Sequence, residues 1–134
     1  MSERPGYDDL REYVAQVEKL GALRKIDAAD PYLEVGAVTE LAAGTADCPA
    51  LLFDNFKGFA PGFRIFTNAT TNVQRASLAL GIDPNLRPLE ALKAWMQRRG
   101  TLKPLDPVSV TRAAFLENSD RGEAVDLGRF PVPH

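Results

Sequence analysis

With 134 residues, 45% of them hydrophobic, the chain can bury one core of ordinary domain size and has little room for two. Sixteen basic residues against eighteen acidic ones leave a net charge of -2 with the signs well mixed, which excludes a basic nucleic-acid-binding surface. The single Cys48 excludes an internal disulfide and a protein-only zinc centre, and between Asp47 and Pro49 it reads as a small turn residue.

No apolar run approaches membrane length, and the polar start MSERPGYDDL is not a secretion signal. The cytoplasm is therefore the expected compartment, with no membrane partner, and the NAT sequon at Asn68 to Thr70 is chemically idle. Lys93, Arg98, Arg99 and Lys103 cluster around a predicted helix and read as a solvated face.

The first predicted helix opens at Asp8 or Asp9. Asp9 with Glu12 makes a D-x-x-E start, and Leu10, Tyr13, Val14, Val17 and Leu20 recur at helical spacing. Gly21 then supplies a left-handed terminal residue. ALRKID (22–27) alternates like a half-buried strand. Asp30-Pro31 reads as the start of a second helix, with proline at its first position and an apolar stripe of Leu33, Val38, Leu41 and Ala42, closed by Gly44.

ALLFDN (50–55) reads as a buried strand, giving a βαβ unit, and FRIFTN (63–68) as a third strand. Thr71 with Gln74 predicts a capping box for a third helix carrying Val73, Ala76 and Leu80 on one face and ending at Gly81. Pro88 starts a fourth helix through Leu89, Leu92, Trp95 and Met96, stopped by Gly100. The expected fold is thus α/β: a small mixed sheet of about three strands with about four helices, over residues 1–100.

From Thr101 the period is lost and Pro104, Pro107, Pro131 and Pro133 impose an extended path. Residues 101–134 therefore read as a Pro-rich arm. Its acidic turn ENSDRGEAVD sits in solvent, while 107–110, 113–116 and 125–132 pack on something large. The closing VDLGRFPVPH is too apolar for a free tail.

The chain is poor in catalytic groupings. One histidine, His134, gives no metal cluster and no nucleophile with a base. GFAPG is not a phosphate loop. The best anion-site candidate is TNATTN (67–72), between a strand end and a helix start, with Arg75 one turn in; the plainer reading is that Thr71 caps the helix and Arg75 is solvated. Glu34 and Glu40 do not share a helix face, Asp54 and Asn55 suit a turn, and Trp95 and Met96 suit a core. No catalytic, cofactor-binding or metal-binding residue is assigned within the chain.

The order of segments nevertheless resembles the N-terminal region of the UbiD-type decarboxylases, prenylated-flavin-dependent enzymes that include ferulic acid decarboxylase. DLREYVAQVEKLGALRKI is similar to their D-L-R-x-F/Y helix and G-x-L-x-x-I strand, and DPYLEVGAVTEL to their D-x-x-L-E-[IV] helix. PALLFDNFKG resembles their P-A-L-L-F-x-N-x-x-G turn, and NVQRASLALGID an R-x-x-L-A-L-G pattern with Arg75 at the arginine. VDLGRFPVPH resembles the D-L-x-x-[FL]-P-x-P lead into their flavin-binding domain.

This resemblance implies reversible, non-oxidative decarboxylation of an aromatic or α,β-unsaturated acid by the whole enzyme. It implies prenylated FMN, a divalent manganese or magnesium ion, potassium, and a Glu-Arg-Glu set, all held by later domains. It also implies that the partner is the remainder of the same polypeptide, in a homo-oligomer. The alternative is a stand-alone, non-catalytic assembly subunit that docks on a larger partner.

Overall fold

Asp9 has an extended backbone, and its Oδ1 accepts the Glu12 N–H at 2.9 Å. This starts helix α1, Leu10–Lys19, in the structure, a computed structural model that describes residues 6–133. The Glu12 carboxylate reaches back to the N–H of Asp8 rather than Asp9, so the box is offset by one residue. Gly21, at φ 68°, turns the chain out of α1 as the sequence predicts. Strand β1 follows at Leu23–Asp27.

Helix α2 spans Glu34–Ala43 and begins three residues later than Asp30-Pro31 predicts. Asp30 Oδ1 accepts the Tyr32 N–H at 2.9 Å, and Tyr32 O accepts the Glu34 N–H at 2.9 Å. These bonds close a γ-turn centred on Leu33, at φ 67° and ψ -42°, a conformation that costs a leucine roughly 1–3 kcal/mol. Pro31 thus sits buried in the turn instead of opening the helix. The inward stripe of α2 is Val35, Val38 and Ala42, whereas Leu33 and Leu41 of the predicted stripe point to solvent.

Strand β2, Ala50–Asp54, is the central strand. It pairs in parallel with β1, Leu23 opposite Ala50, and antiparallel with β3, Arg64–Thr67, Leu52 opposite Phe66. The order β1-β2-β3 is the mixed sheet expected, and the period of two divides its side chains between two clusters. Leu51 and Phe53 pack with Ile26, Ile65 and Val35 beneath α2. Ala50 packs on the other face with Tyr13 and Val17 of α1 and with Leu23, Phe66, Leu78 and Ala79.

Helix α3 spans Val73–Ala79 and is capped by Asn72, whose Oδ1 accepts the Arg75 N–H at 3.0 Å; the predicted Thr71–Gln74 box does not form. The predicted apolar face is also displaced, since Val73 and Leu80 are exposed while Arg75 and Ser77 are buried. Helix α4, Pro88–Thr101, starts at its proline and runs one residue past Gly100. Glu90 accepts the Arg87 N–H at 3.2 Å and pairs with the Arg87 guanidinium, fixing that start. Its buried residues are Ala91 and Arg98, so Arg98 is not part of a solvated face, and the predicted stripe of Leu89, Leu92 and Met96 faces water.

Residues 102–133 carry three short 3-10 turns, at 114–116, 122–124 and 127–129. The acidic turn is exposed, and so are Leu105, Val108, Phe115 and Leu116. The last stretch returns to the domain: the Phe130 ring meets Phe63 edge-on at 5.7 Å, and Pro131 is buried. No helix among the described residues is long and apolar enough to cross a membrane. His134 lies outside the described residues.

Candidate functional site

The loop between β3 and α3 is organised around a buried guanidinium. Asn68 takes φ 53°, a left-handed conformation that asparagine tolerates better than most residues, and this turns its carbonyl inward. Arg75 enters from α3, is fully buried, and aims its fork at the acceptors of Asn68, Cys48 and Thr71. Its Nε donates to Asn68 O at 3.1 Å; its Nη2 donates to Cys48 O at 2.6 Å and to Thr71 Oγ1 at 2.7 Å. The Thr71 hydroxyl passes its proton to Asn68 O at 3.1 Å and receives the Cys48 thiol proton at 3.2 Å. Arg75 is therefore neither an anion receptor in an open loop nor a solvated side chain. It ties the β3–α3 loop to the segment that enters β2.

Two further elements brace the same loop. The Tyr13 hydroxyl, reaching across from α1, shares its proton between Ala69 O at 2.8 Å and Arg75 O at 3.1 Å. Burial pushes the Tyr13 phenol above its usual range; the nearby Arg75 cation partly opposes this and Tyr7 adds to it. From α2, Thr39 O accepts the Asn68 amide at 3.1 Å, and the Thr39 and Thr67 hydroxyls bond at 3.0 Å. Arg75 Nη1 is buried and finds no partner among the described residues. None of the hydrogen bonds at this guanidinium goes to a carboxylate; two carbonyls, the Thr71 hydroxyl and, at 3.9 Å, the Cys48 sulfur offset a buried charge.

Tyr13→Phe tests the bracing directly. It keeps the ring contacts with Tyr7 and Phe66 but removes the hydroxyl that serves Ala69 O and Arg75 O. The expected loss is about 1–2 kcal/mol in urea unfolding with an unchanged slope. A loss under about 0.5 kcal/mol would show that the hydroxyl is dispensable.

The other sequence candidates stay apart. Glu34 and Glu40 are both exposed on α2. The Asp30 N–H first, and the Lys57 ammonium at 3.2 Å second, hold the Glu34 carboxyl below the usual carboxylate range. Asn55 takes φ 51° after β2 and its amide bonds Asp27 Oδ1 at 2.8 Å, which makes it a turn residue joining two strand ends. Trp95 is half-buried, and Met96 is exposed rather than part of the core.

A shallow cleft of about 520 Å³ lies where α1 leaves the sheet uncovered, floored by Val14, Leu52 and Phe66 and rimmed by Arg11, Lys25 and Arg64. Lys25 is paired with Glu18 at 2.6 Å. Sequence reasoning missed Tyr13 and Asn68 as polar anchors. The available signal for Arg75 was its spacing: it precedes the inward Leu78 and Ala79 by three and four residues, on one helical face.

A mixed sheet between α2 on one face and α1 with α3 on the other, braced internally at Arg75, defines a small α/β domain. The chain belongs to the 3-octaprenyl-4-hydroxybenzoate carboxy-lyase N-terminal domain family, which matches residues 14–98. A phenolic acid decarboxylase of Streptomyces sp. (strain D7) is 35% identical over 123 residues, covering 90% of this chain and 26% of that enzyme. The chain thus spans about a quarter of the length of this curated relative.

Among solved structures, the vanillic acid decarboxylase of Sedimentibacter hydroxybenzoicus is similar in its open form, at TM-score 0.64 and 27% identity over 75% of this chain and 22% of that one. A second open form, with a truncated ShVdcD, gives 0.65 and 28% over 75% and 21%. The closed form gives TM-score 0.54 and 27% identity over 65% of this chain and 18% of that one.

Proposed function

We propose that the chain is the N-terminal part of a carboxy-lyase that removes CO2 without oxidation from a phenolic or related α,β-unsaturated carboxylic acid. The observation that carries this reading is the identity to a phenolic acid decarboxylase, 35% sustained over 90% of the chain. In this reading residues 1–100 form a supporting domain and residues 101–134 an arm leading to a flavin-binding domain. The enzyme would be a cytoplasmic homo-oligomer.

Prenylated FMN, when bound, supplies the electron sink for loss of CO2. The described residues of this chain do not fit that group or its metal. Among the described residues no three His, Cys, Asp or Glu side chains converge to hold an ion, and the one fully buried cation is taken up by carbonyls and a hydroxyl. No step of the reaction is therefore assigned to residues 6–133. What the chain supplies is a rigid support, braced at Arg75. The alternative of a stand-alone assembly subunit is disfavoured by the return of Phe130 to Phe63, which keeps the end of the arm on its own domain.

The test is to produce the intact polypeptide encoded by the gene in cells that make prenylated FMN and to follow CO2 release from phenolic acids. The intact protein should release CO2 and residues 1–134 alone should not. A flavin-loaded intact protein inert toward phenolic, other aromatic and α,β-unsaturated acids would sink the reading, as would turnover by residues 1–134 alone.

A further inference from the structure

Helix α4 packs against α3 and turns Ala91 and Arg98 inward, with Trp95 half-buried on the same side. Its opposite face puts three large apolar residues in water. Leu89, Leu92 and Met96 recur at i, i+3 and i+7 and are 63%, 54% and 66% exposed. Gly100, four residues after Met96, continues the line without a side chain, and the exposed Lys93 and Arg99 flank it on either side. Single exposed leucines are ordinary on protein surfaces; a helical stripe of three with a basic border is the pattern of an interface.

We infer that this stripe of α4 is the docking surface for the polypeptide that follows the arm, which meets it with an apolar patch bordered by carboxylates. The inference rests on the decarboxylase reading above. Two observations select this occupant. The matched region covers 26% of the phenolic acid decarboxylase, so the relative carries some three-quarters of its length beyond the segment shared with this chain. The arm that follows α4 along the chain is likewise uncovered, with Leu105, Val108 and Phe115 91%, 84% and 76% exposed. The acidic character of the partner follows from Lys93 and Arg99, whose charges would be desolvated at the edge of the contact and need opposite charge to meet them.

The experiment compares Leu92→Glu/Met96→Glu in two settings. In residues 1–134 alone, both positions lie in water, so the melting temperature should stay within about 2 °C of the parent. In the intact polypeptide the same pair should release the domain, and tryptic cutting at Arg112 and Arg121 of the arm should accelerate by about tenfold or more, the change produced by about 1.4 kcal/mol of lost docking. Lys93→Glu/Arg99→Glu should accelerate cutting by a smaller factor.

An intact variant cut no faster than the parent would overturn the proposal. So would equal destabilisation of residues 1–134 alone, since the stripe would then belong to the chain's own core. So would a gene product without further polypeptide. Accelerated cutting in an intact protein that shows no decarboxylation would keep the docking surface and remove the decarboxylase reading; active parent with unaffected cutting would do the reverse.

Discussion

Arg75→Met is expected to lower the stability of residues 1–134 by about 3–4 kcal/mol, enough to drop the melting temperature by roughly 10 °C or more. Methionine keeps most of the apolar stem, so the loss isolates the guanidinium. Removing it strands Cys48 O, leaves Asn68 O with the Thr71 hydroxyl alone, and frees that hydroxyl of its strongest donor. A stranded acceptor, or a lost hydrogen bond from a charged donor, costs about 1–3 kcal/mol. Against this stands relief from burying a cation without a carboxylate, which is why the net figure is below the sum.

Arg75→Lys keeps the charge but not the planar fork, so an ammonium on a shorter reach should recover only part of the loss. Amide exchange should quicken first at Asn68 to Asn72, because that loop loses its anchor while both sheet faces keep their cores. A melting temperature for Arg75→Met within about 2 °C of the parent would show that the node is ornamental to stability.

The same arginine shows why part of the fold was legible and part was not. The three strands were readable within a residue or so at each end, because short apolar runs bounded by Pro49 and by the FKGFAPG turn have few other places to go. The starts of α1 and α4 were readable from Asp9 and Pro88, where cap and proline act through local geometry alone. Leu33 defeated the same logic at α2. A γ-turn with positive φ is held by bonds from Asp30 and Tyr32, and no local propensity announces it.

The helix faces failed for a different reason. Apolar periodicity reports that a stripe is buried against something, and cannot say whether the cover is the domain's own sheet or another surface. In α1 it was the sheet, at Tyr13 and Val17; in α4 it was not, at Leu89, Leu92 and Met96. Arg75 was misplaced because a charge in a polar loop is ordinarily solvated, and only the inward carbonyls of Asn68 and Cys48 reverse that preference. The motif R-x-x-L-A-L-G, which set Arg75 in line with Leu78 and Ala79, held the information without giving its meaning.

Phe53→Ala should be the most damaging change on the opposite face, costing about 3–5 kcal/mol. Phe53 is fully buried at the middle of the sheet, paired across β2 with Ile26 on one side and Ile65 on the other, and covered by Val35 of α2 and by Phe56. Truncation empties a phenyl-sized space in a cluster whose strand neighbours are pinned by pairing, so the cavity has little chance to collapse. Phe53→Leu, which keeps most of the volume, should cost about 1–1.5 kcal/mol.

The two faces should also be energetically separate. Phe53 lies three residues along β2 from Ala50, where Tyr13 packs, which is about 10 Å of extended chain, and it projects from the other side of the sheet. The losses from Phe53→Leu and Tyr13→Phe, measured singly and together by urea unfolding, should add within about 0.5 kcal/mol. A coupling above about 1 kcal/mol would mean that the sheet transmits strain between its faces, and the Arg75 brace and the α2 core would then have to be treated as one unit.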